Sequence, residues 1–445
     1  MFFDIIIPIS NIKRRKDLNI KISFKDLQCG EFPFYQSGDT ITITGDGSTS
    51  LRQLEKLLKF DKPYHLVIEN LRIENNVDAS SEESLFDSNL LSFTSLDVEN
   101  IEGSAFKDCR ELEEIDLPSA KNIGLGAFSN CKKLRRVYLP LVQKVEVSAF
   151  ENCENLSEVI MPKAVEIEGD SFKNCFNLKK AELNGAINIY DEAFRNCFSL
   201  SELKIPSVKI IGELAFEKCI SLEVVDLPEA VYVRRGAFSN CFRLKSVNMP
   251  NVLDLKEYSF NVCTRLESIG LKNVRHIGYS AFAYCENLRE IDAPLVEEIE
   301  GSAFCSCSKL ETISTPKITK IEAQTFEDCV SLKEIDLLNV RIIRERAFMN
   351  CKSLRLKNFE IPVVEEIDDE AFVRCNGLVK VNLPQAKTIG KAAFQWCINL
   401  ESVEMPVVEN LYDEVFWFCE ALRNINPYEV PHELLKSKKI NPTLY

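Results

Sequence analysis

Apolar residues recur along most of this chain with a period of 22 residues. In the first clear period, Phe106 is followed by Cys after three positions, Leu after six, Ile after nine, Leu after eleven and Pro after twelve. The leading Phe occurs fifteen times, at positions 106, 128, 150, 172, 194, 216, 238, 260, 282, 304, 326, 348, 372, 394 and 416. A fixed period of this length is typical of repeat proteins, in which each repeat buries its apolar face against its neighbours.

Each period carries the signal for one short β-strand. Leu112, Ile115 and Leu117 give the alternation of a strand whose apolar side points inward. Pro118 suits the end of that strand, because proline has no N–H for the hydrogen-bond ladder. The chain then turns back through Ala120 and Ile123 to reach the next Phe. The pattern predicts parallel strands about 4.8 Å apart, one per repeat, around one continuous apolar core.

One step departs from the period, because 24 residues separate Phe348 from Phe372. The extra pair lies within Leu354–Phe359, just before the predicted strand. We therefore predict a local β-bulge in this repeat.

The first part of the chain does not follow the period, and we predict that residues 1–83 form a small α+β cap. A cap is needed because the terminal apolar face of a stack of repeats must be covered. The composition predicts a helix from about Leu51 to Phe60, with Ser50 or Thr49 as its N-cap. Strands are predicted over Phe2–Ile9, Leu18–Phe24, Thr40–Thr44 and Tyr64–Ile68. Repeats are predicted for 84–427, and a C-terminal cap or tail for 428–445.

The charge balance narrows the range of partners. The chain has 54 basic and 68 acidic residues, a formal net charge of -14, and such a surface repels nucleic acid and anionic lipid. No apolar run approaches the roughly 20 residues that cross a bilayer. The apolar start Met1–Pro8 precedes the basic cluster Lys13–Lys16, the reverse of the order in a secretory signal. We therefore predict a cytoplasmic protein without a membrane span.

Cysteine is the most conspicuous candidate for chemistry. Of 17 cysteines, 15 occupy the same slot of the repeat, three residues after Phe. Aligned thiols could serve metal binding or redox chemistry. Cysteine is also among the most buried residue types and packs as a small apolar residue. We interpret the column as a structural ladder of reduced thiols, and Cys29 and Cys305, which lie off the pattern, as incidental.

Catalytic residues are scarce. The chain has three histidines, His65, His276 and His432, far apart in the sequence. A Cys29–His65 pair is conceivable, but no nucleophile motif surrounds either residue. We predict a protein without catalytic residues, cofactor or metal.

The outward positions of the predicted strands are the candidate functional surface. Two positions per repeat, eight and ten residues after Phe, point away from the core and should face the inner, concave surface. Among thirty such positions twelve are acidic and four basic, a sharper imbalance than in the whole chain. This negative face could simply be a solvated surface that resists association, or it could bind a basic partner. The candidate partner-binding residues are Glu114, Asp116, Arg136, Tyr138, Glu158, Ile160, Glu202, Asp226, Glu290, Asp292, Glu334 and Asp336.

The repeat, Phe-x-x-Cys-x-x-Leu-x-x-Ile-x-Leu-Pro-x-Ala/Val-x-x-Ile-Gly-x-x-Ala-Phe, resembles the BspA-type class of leucine-rich repeats over roughly residues 84–427. The resemblance implies a repeat solenoid, a right-handed curved coil with a parallel β-sheet on its concave face and about 15 coils of 22 residues. Several similar proteins are cell-surface adhesins or host-protein binders, so the resemblance implies binding rather than catalysis.

Together these observations predict a non-enzymatic, monomeric solenoid that presents an acidic concave surface to protein partners. Two alternatives stay open at this point. One is a cell-surface adhesin or host-protein binder exported without a visible signal, and the other is a structural scaffold that assembles with itself.

Overall fold

The computed structural model describes residues 19–23, 39–44, 48–49, 64–69, 72–73, 89–356 and 360–426. The chain divides into two compact units. Unit 1 comprises Met1–Ala186 and Ala193–Lys204, and unit 2 comprises Ile187–Glu192 and Ile205–Tyr445. All regular elements in the described ranges are β-strands. Each 22-residue repeat forms one coil, named here by its leading Phe, and most coils have a three-residue strand on one side and a two-residue strand on the other.

Unit 1 contains one parallel nine-stranded sheet that follows the order of the chain. Neighbouring strands pair in register from coil to coil, so that Glu114 lies opposite Arg136 and Glu158 opposite Lys180. The strands are β1 (Asn19–Ser23), β2 (Asp39–Thr44), β4 (Tyr64–Glu69), β6 (Leu90–Ser95), β8 (Glu114–Asp116), β10 (Arg136–Tyr138), β12 (Glu158–Ile160), β14 (Lys180–Glu182) and β16 (Glu202–Lys204).

The N-terminal strands belong to this same sheet. Strands β1, β2 and β4 confirm the strand predictions at Leu18–Phe24, Thr40–Thr44 and Tyr64–Ile68. Strand β2 pairs in parallel with β1 and with β4, and β4 in turn pairs in parallel with β6, where the register shifts between Tyr64 and His65. Strands β1, β2 and β4 thus stack in the manner of the strands in the later coils, although their spacing does not follow the sequence period. The predicted strand Phe2–Ile9, the helix Leu51–Phe60 and the tail 428–445 lie outside the described residues.

The second side of unit 1 carries shorter strands, again parallel and in register. They are β7 (Asn100–Ile101), β9 (Asn122–Ile123), β11 (Lys144–Val145) and β13 (Glu166–Ile167). A separate parallel pair is formed by β3 (Ser48–Thr49) and β5 (Arg72–Ile73).

Unit 2 repeats this arrangement. On the side of the longer strands it has three parallel sheets of three strands each. The first contains β18 (Val224–Asp226), β20 (Ser246–Asn248) and β22 (Ser268–Ile269), and the second contains β24 (Glu290–Asp292), β26 (Thr312–Ser314) and β28 (Glu334–Ile335). The third contains β31 (Lys380–Asn382), β33 (Ser402–Glu404) and β35 (Asn424–Asn426). The other side of unit 2 carries β15 (Asn188–Ile189), β17 (Ile210–Ile211), β19 (Tyr232–Val233), β21 (Asp254–Leu255), β23 (His276–Ile277), β25 (Glu298–Ile299), β27 (Lys320–Ile321), β29 (Ile342–Ile343), β30 (Glu366–Ile367), β32 (Thr388–Ile389) and β34 (Asn410–Leu411). The predicted parallel-strand solenoid is confirmed within each unit.

The core is a column of phenylalanine rings. Every leading Phe is fully buried. Consecutive rings stack in parallel, from Phe106 to Phe194 in unit 1 with centroids 5.0–5.2 Å apart, and from Phe216 to Phe416 in unit 2 at 5.1–5.8 Å. The strand leucines and isoleucines are buried beside them, as the alternation predicts. Because each ring packs mainly on the rings before and after it, a single coil has little core of its own.

The segment around each Phe is a tight turn that needs two residues with positive φ. They lie two positions before and two positions after the Phe, for example Ser148 (φ 55°) and Asn152 (φ 60°) around Phe150. Asparagine tolerates this left-handed conformation better than most residues. In unit 1 the asparagines also form a ladder, in which the amides of Asn152, Asn174 and Asn196 each donate to the preceding asparagine carbonyl at 2.8–3.0 Å.

The two extra residues between Phe348 and Phe372 do not interrupt the column of phenylalanine rings. Phe348 and Phe372 stack at 5.2 Å, so the insertion is absorbed away from the ring column. In place of a three-residue strand the coil of Phe348 has an isolated bridge from Glu360 to Asn382. The predicted bulge at Leu354–Phe359 falls partly on residues 357–359, which lie outside the described residues.

Candidate functional site

The candidate surface consists of the outward side chains of the three-residue strands, and it is called the long-strand face below. The middle residue of each strand points into the core and its two neighbours point outward, as in β8, where Ile115 is buried between exposed Glu114 and Asp116. All twelve residues predicted from the sequence lie on this outward side. Glu158 and Asp336 are half-buried, and the other ten are exposed.

In unit 1 the charges of the long-strand face are largely paired with each other. Arg136 donates to Glu114 at 2.8 Å, and Lys180 donates to Glu158 at 2.8 Å. Glu182 lies 2.5 Å from the ammonium group of Lys204 and 3.3 Å from that of Lys180. The hydrogen bond from Lys204, helped by Lys180, holds the pKa of the Glu182 carboxyl below its usual value. Asp116 and Glu202 make no ion pair with a described residue, so these two carboxylates are what this part of the face leaves free for a partner.

In unit 2 the acidic side chains of the face are not paired with cations. Lys380 is the single basic residue at these outward positions, and within the described part of unit 2 none of the acidic residues there makes an ion pair. Their polar contacts are to neutral groups, since Asn248 donates to Asp226 at 2.7 Å and the backbone of Leu338 donates to Asp336 at 3.0 Å. The acidic members are Asp226, Glu290, Asp292, Glu334, Asp336, Glu360 and Glu404.

Three apolar residues interrupt the face. Tyr138 and Ile160 in unit 1 are 59% and 40% exposed, and Val224 in unit 2 is 62% exposed. Exposed aromatic residues that become buried on association are frequent anchors of protein interfaces. Tyr138 lies two residues from Arg136, whose guanidinium is already paired with Glu114.

A further charged row, which the sequence reasoning missed, lies directly before each strand. Its members stand seven residues after Phe and include exposed Arg289 and Lys333. Glu311 of the same row lies 2.6 Å from Lys333 and 3.9 Å from Arg289. The hydrogen bond from Lys333 lowers the pKa of the Glu311 carboxyl. The acidic surface of unit 2 is thus a strip two residues wide, bordered by a row in which both signs are balanced.

The signal for these ion pairs was present in the sequence. Residues 22 positions apart lie side by side in neighbouring coils, so that the series Glu114, Arg136, Glu158, Lys180 alternates in sign down one column. A total of the charges on the face hides this alternation. Comparing each charged residue with the residues 22 positions before and after it shows which carboxylates have a cation as neighbour and which do not.

The cysteine column is a structural ladder, as predicted, and it also has a polar role. Thirteen of the fifteen thiols donate to the carbonyl oxygen of the Phe one coil earlier, with Sγ–O distances of 2.9–3.3 Å. All fifteen are buried and free. Burial raises the pKa of the Cys263 thiol to about 12 and that of Cys131 well above its usual value. Such thiols are poor nucleophiles and poor metal ligands at neutral pH.

The two described histidines, His65 and His276, lie on different strands and hydrogen-bond to nearby side chains. His65 lies on β4 and hydrogen-bonds Ser92 at 2.8 Å. His276 lies on β23, with Asp254 at 2.9 Å from Nδ1 and Glu300 at 3.0 Å from Nε2. Cys29 and His432 lie outside the described residues. Across the part of the chain that the structure covers, no three His, Cys, Asp or Glu side chains are grouped as for a metal ion, and no helix is long and apolar enough to cross a membrane.

Comparison with known proteins agrees with this architecture. A family model described as the BspA type leucine rich repeat region matches residues 80–188, 187–311, 233–355 and 343–436. A leucine-rich repeat protein from Bacteroides ovatus is 27% identical, with a TM-score of 0.57, over 74% of this chain and 82% of that one. A leucine rich cell surface protein from Faecalibacterium prausnitzii is 17% identical, with a TM-score of 0.30, over 96% and 92% of the two chains. A search among curated proteins finds no match.

The family matches span most of the chain and coincide with the stacked coils that carry the phenylalanine column and the thiol ladder. The Bacteroides ovatus protein supports the same repeat fold. The chain therefore belongs to the BspA-type leucine-rich-repeat family.

Proposed function

We propose that this chain is a non-enzymatic, monomeric binding protein that uses the long-strand face to hold protein partners rich in basic residues. Leucine-rich-repeat proteins generally bind other proteins, and the repeat supplies a rigid surface on which exposed residues vary from coil to coil. A cytoplasmic location is part of the proposal.

The observation that carries the proposal is the unpaired acidic strip in unit 2. Glu290 and Asp292 on β24 are exposed, and so is Glu334 on β28. Asp336 is the residue that directly follows β28. Between these two strands, β26 offers the hydroxyl groups of Thr312 and Ser314 rather than a cation. Carboxylates that are not paired within the protein produce an electrostatic field that attracts a basic partner. Such a field raises the association rate more than the final affinity.

This location refines the surface expected from the sequence. In unit 1, Glu114 is already paired with Arg136 and Glu158 with Lys180. We assign the electrostatic part of binding to unit 2, and to Tyr138 and Ile160 of unit 1 the role of apolar contacts. Lysine or arginine side chains of the partner would meet the acidic strip.

The proposal is tested with the full chain and a fluorescent oligolysine peptide as a defined basic probe. The test variant carries Glu290→Lys, Asp292→Lys, Glu334→Lys and Asp336→Lys. The control variant carries Glu298→Lys, Glu345→Lys, Glu409→Lys and Asp413→Lys, which make the same change in net charge at exposed positions outside the long-strand face. Fluorescence anisotropy is measured at two salt concentrations, and each variant is also used to capture proteins from a lysate.

The expected result is that the test variant loses binding by about tenfold or more, whereas the control loses much less and the wild-type affinity falls with salt. Equal losses in the two variants would show that the net charge of the chain acts rather than the strip. Identical proteins captured by the wild type and the test variant would overturn the assignment of the face. A mass in light scattering that rises with concentration would instead support the self-assembling scaffold.

A further inference from the structure

The end of the repeat array carries an aromatic cluster on the turn side, away from the long-strand face. The position two residues after the leading Phe has positive φ in all fifteen coils and is Asn or Asp in eight of them. In the last two coils it is occupied by Trp396 and Phe418, each with φ of 61°. The chain has only two tryptophans, and the second, Trp417, stands beside Phe418.

The three rings form one stacked group. The ring centroids of Trp396 and Phe418 lie 4.0 Å apart with planes inclined by 14°, and those of Trp417 and Phe418 lie 4.8 Å apart at 21°. The backbone N–H of Trp396 donates to the carbonyl of Trp417 at 2.9 Å, which fixes the two coils against each other. Trp396 is nevertheless 36% exposed. The indole of Trp396 thus packs against Phe418 and remains partly exposed to solvent.

These aromatic residues stand in a backbone conformation that does not favour them. A bulky residue in the left-handed region costs about 1–2 kcal/mol relative to glycine, and asparagine is better tolerated there. The cost is not offset by the core, because the core of this coil is formed by Phe394, Cys397 and Leu400, all fully buried. Strained residues at exposed positions are a frequent mark of binding surfaces.

A cation stands one coil earlier in the same column. Arg374 occupies the equivalent position, with φ of 61°, and its backbone N–H donates to the carbonyl of Gln395 at 2.9 Å. Its side chain is exposed and makes no ion pair with any described residue. The Arg374 guanidinium is therefore free for a ligand, in the coil next to the one that carries the exposed indole of Trp396.

We propose that Arg374, Trp396 and Phe418 form a binding site for a carboxylate-bearing sugar ring of the uronic acid type. The apolar face of a pyranose ring fits a flat, open indole, whereas a protein side chain anchors best in a pocket that encloses it. The guanidinium supplies two parallel donors for the carboxylate. A neutral sugar would leave the charge of Arg374 unused. The site is separate from the acidic strip and does not depend on it.

The two tryptophans provide the readout, because both lie in the cluster and fluorescence excited where tyrosine does not absorb reports only on them. The full chain is titrated with trigalacturonate and with its methyl ester, and the binding is repeated by calorimetry. Trp396→Asn restores the residue common at this position, so the variant should melt at the same temperature as the wild type or higher. Arg374→Gln removes the charge and keeps the length of the side chain.

We expect trigalacturonate to change the fluorescence and to bind about tenfold more tightly than its ester. Trp396→Asn should abolish binding of both, and Arg374→Gln should make the two ligands equal. No response to trigalacturonate, or equal binding of acid and ester by the wild type, would overturn the proposal. Binding of adenosine monophosphate without binding of trigalacturonate would assign the rings to a nucleobase instead, and would also overturn it.

Discussion

The thiol of Cys263 donates a hydrogen bond to the backbone carbonyl oxygen of Phe238, with 3.2 Å between Sγ and O. The same carbonyl accepts from the backbone N–H of Cys241 at 3.3 Å. The cysteine therefore links two consecutive coils inside the core. Twelve other thiols of the column do the same, so the ladder joins neighbouring repeats by polar as well as apolar contacts.

If the donor role of the thiol matters, serine should replace Cys263 better than alanine does. Cys263→Ala removes both the donor and the volume of sulfur, and we expect a loss of about 1–2 kcal/mol in the free energy of unfolding. Cys263→Ser keeps a donor and should lose less. Urea unfolding of the two variants beside the wild type checks this. A serine variant less stable than the alanine variant would show that the cysteine acts only as an apolar filler.

The buried thiols should make the protein sensitive to alkali. Burial raises the pKa of Cys263 to about 12 from 9.0, and the other thiols of the column shift in the same direction. A raised folded pKa means that the stability is fully present below about pH 9 and is lost as the pH rises toward 12. Each such thiol contributes a loss of up to about 1.4 kcal/mol per pH unit. We expect the urea midpoint to fall steeply between about pH 9 and pH 11, and a constant midpoint would contradict the ladder.

The same burial predicts an order of alkylation. Cys305 stands outside the column and is only half-buried, so iodoacetamide should modify it before any described cysteine of the column. Thiols such as Cys307, two residues away and fully buried, should react only after addition of urea. Peptide mass spectrometry at short reaction times gives the order. Modification of Cys307 at the rate of Cys305 in the native protein would contradict the prediction.

One coil carries an unfavourable residue whose replacement should stabilise the protein. Val262 has φ of 58° at the position where Asn174 and other coils carry asparagine. A β-branched residue is strained in this region, so Val262→Asn should raise the free energy of unfolding by about 1 kcal/mol. The reverse change, Asn174→Val, serves as the control and should destabilise by more, since it also breaks the asparagine ladder. A less stable Val262→Asn variant would show that valine has a packing role there.

The phenylalanine column should account for much of the stability. Phe282 is fully buried between Phe260 and Phe304, and Phe282→Ala should cost about 3–5 kcal/mol. Phe242 is 42% exposed on a turn, and Phe242→Ala should cost less than about 1 kcal/mol. Thermal melting of the two variants gives the comparison. A similar cost at both positions would mean that the ring column does not carry the core.

Much of the candidate site could be predicted from the sequence, because a strand has a side-chain period of two and its inward residues identify the outward ones. Glu114 and Asp116 had to flank Ile115 once the strand was recognised. The exposure of the row before the strand, with Arg289 and Lys333, was missed, because it depends on how the turn enters the strand. The parallel pairing of β1, β2 and β4 with the later coils was missed as well, because their spacing does not follow 22 residues.

The sequence by itself determined the period, the core residues and the outward positions, because a repeat with fixed spacing leaves one way to bury its Phe, Cys and Leu together. Only the stacking of coils in the tertiary structure pairs some of these outward charges and leaves others free. Glu158 and Glu290 occupy the same slot in different coils, but Glu158 has Lys180 in the adjacent coil at 2.8 Å, whereas Glu290 faces Thr312. The charge that a partner meets is therefore set by neighbours across the sheet and not by neighbours along the chain, since only stacking brings residues 22 positions apart into contact.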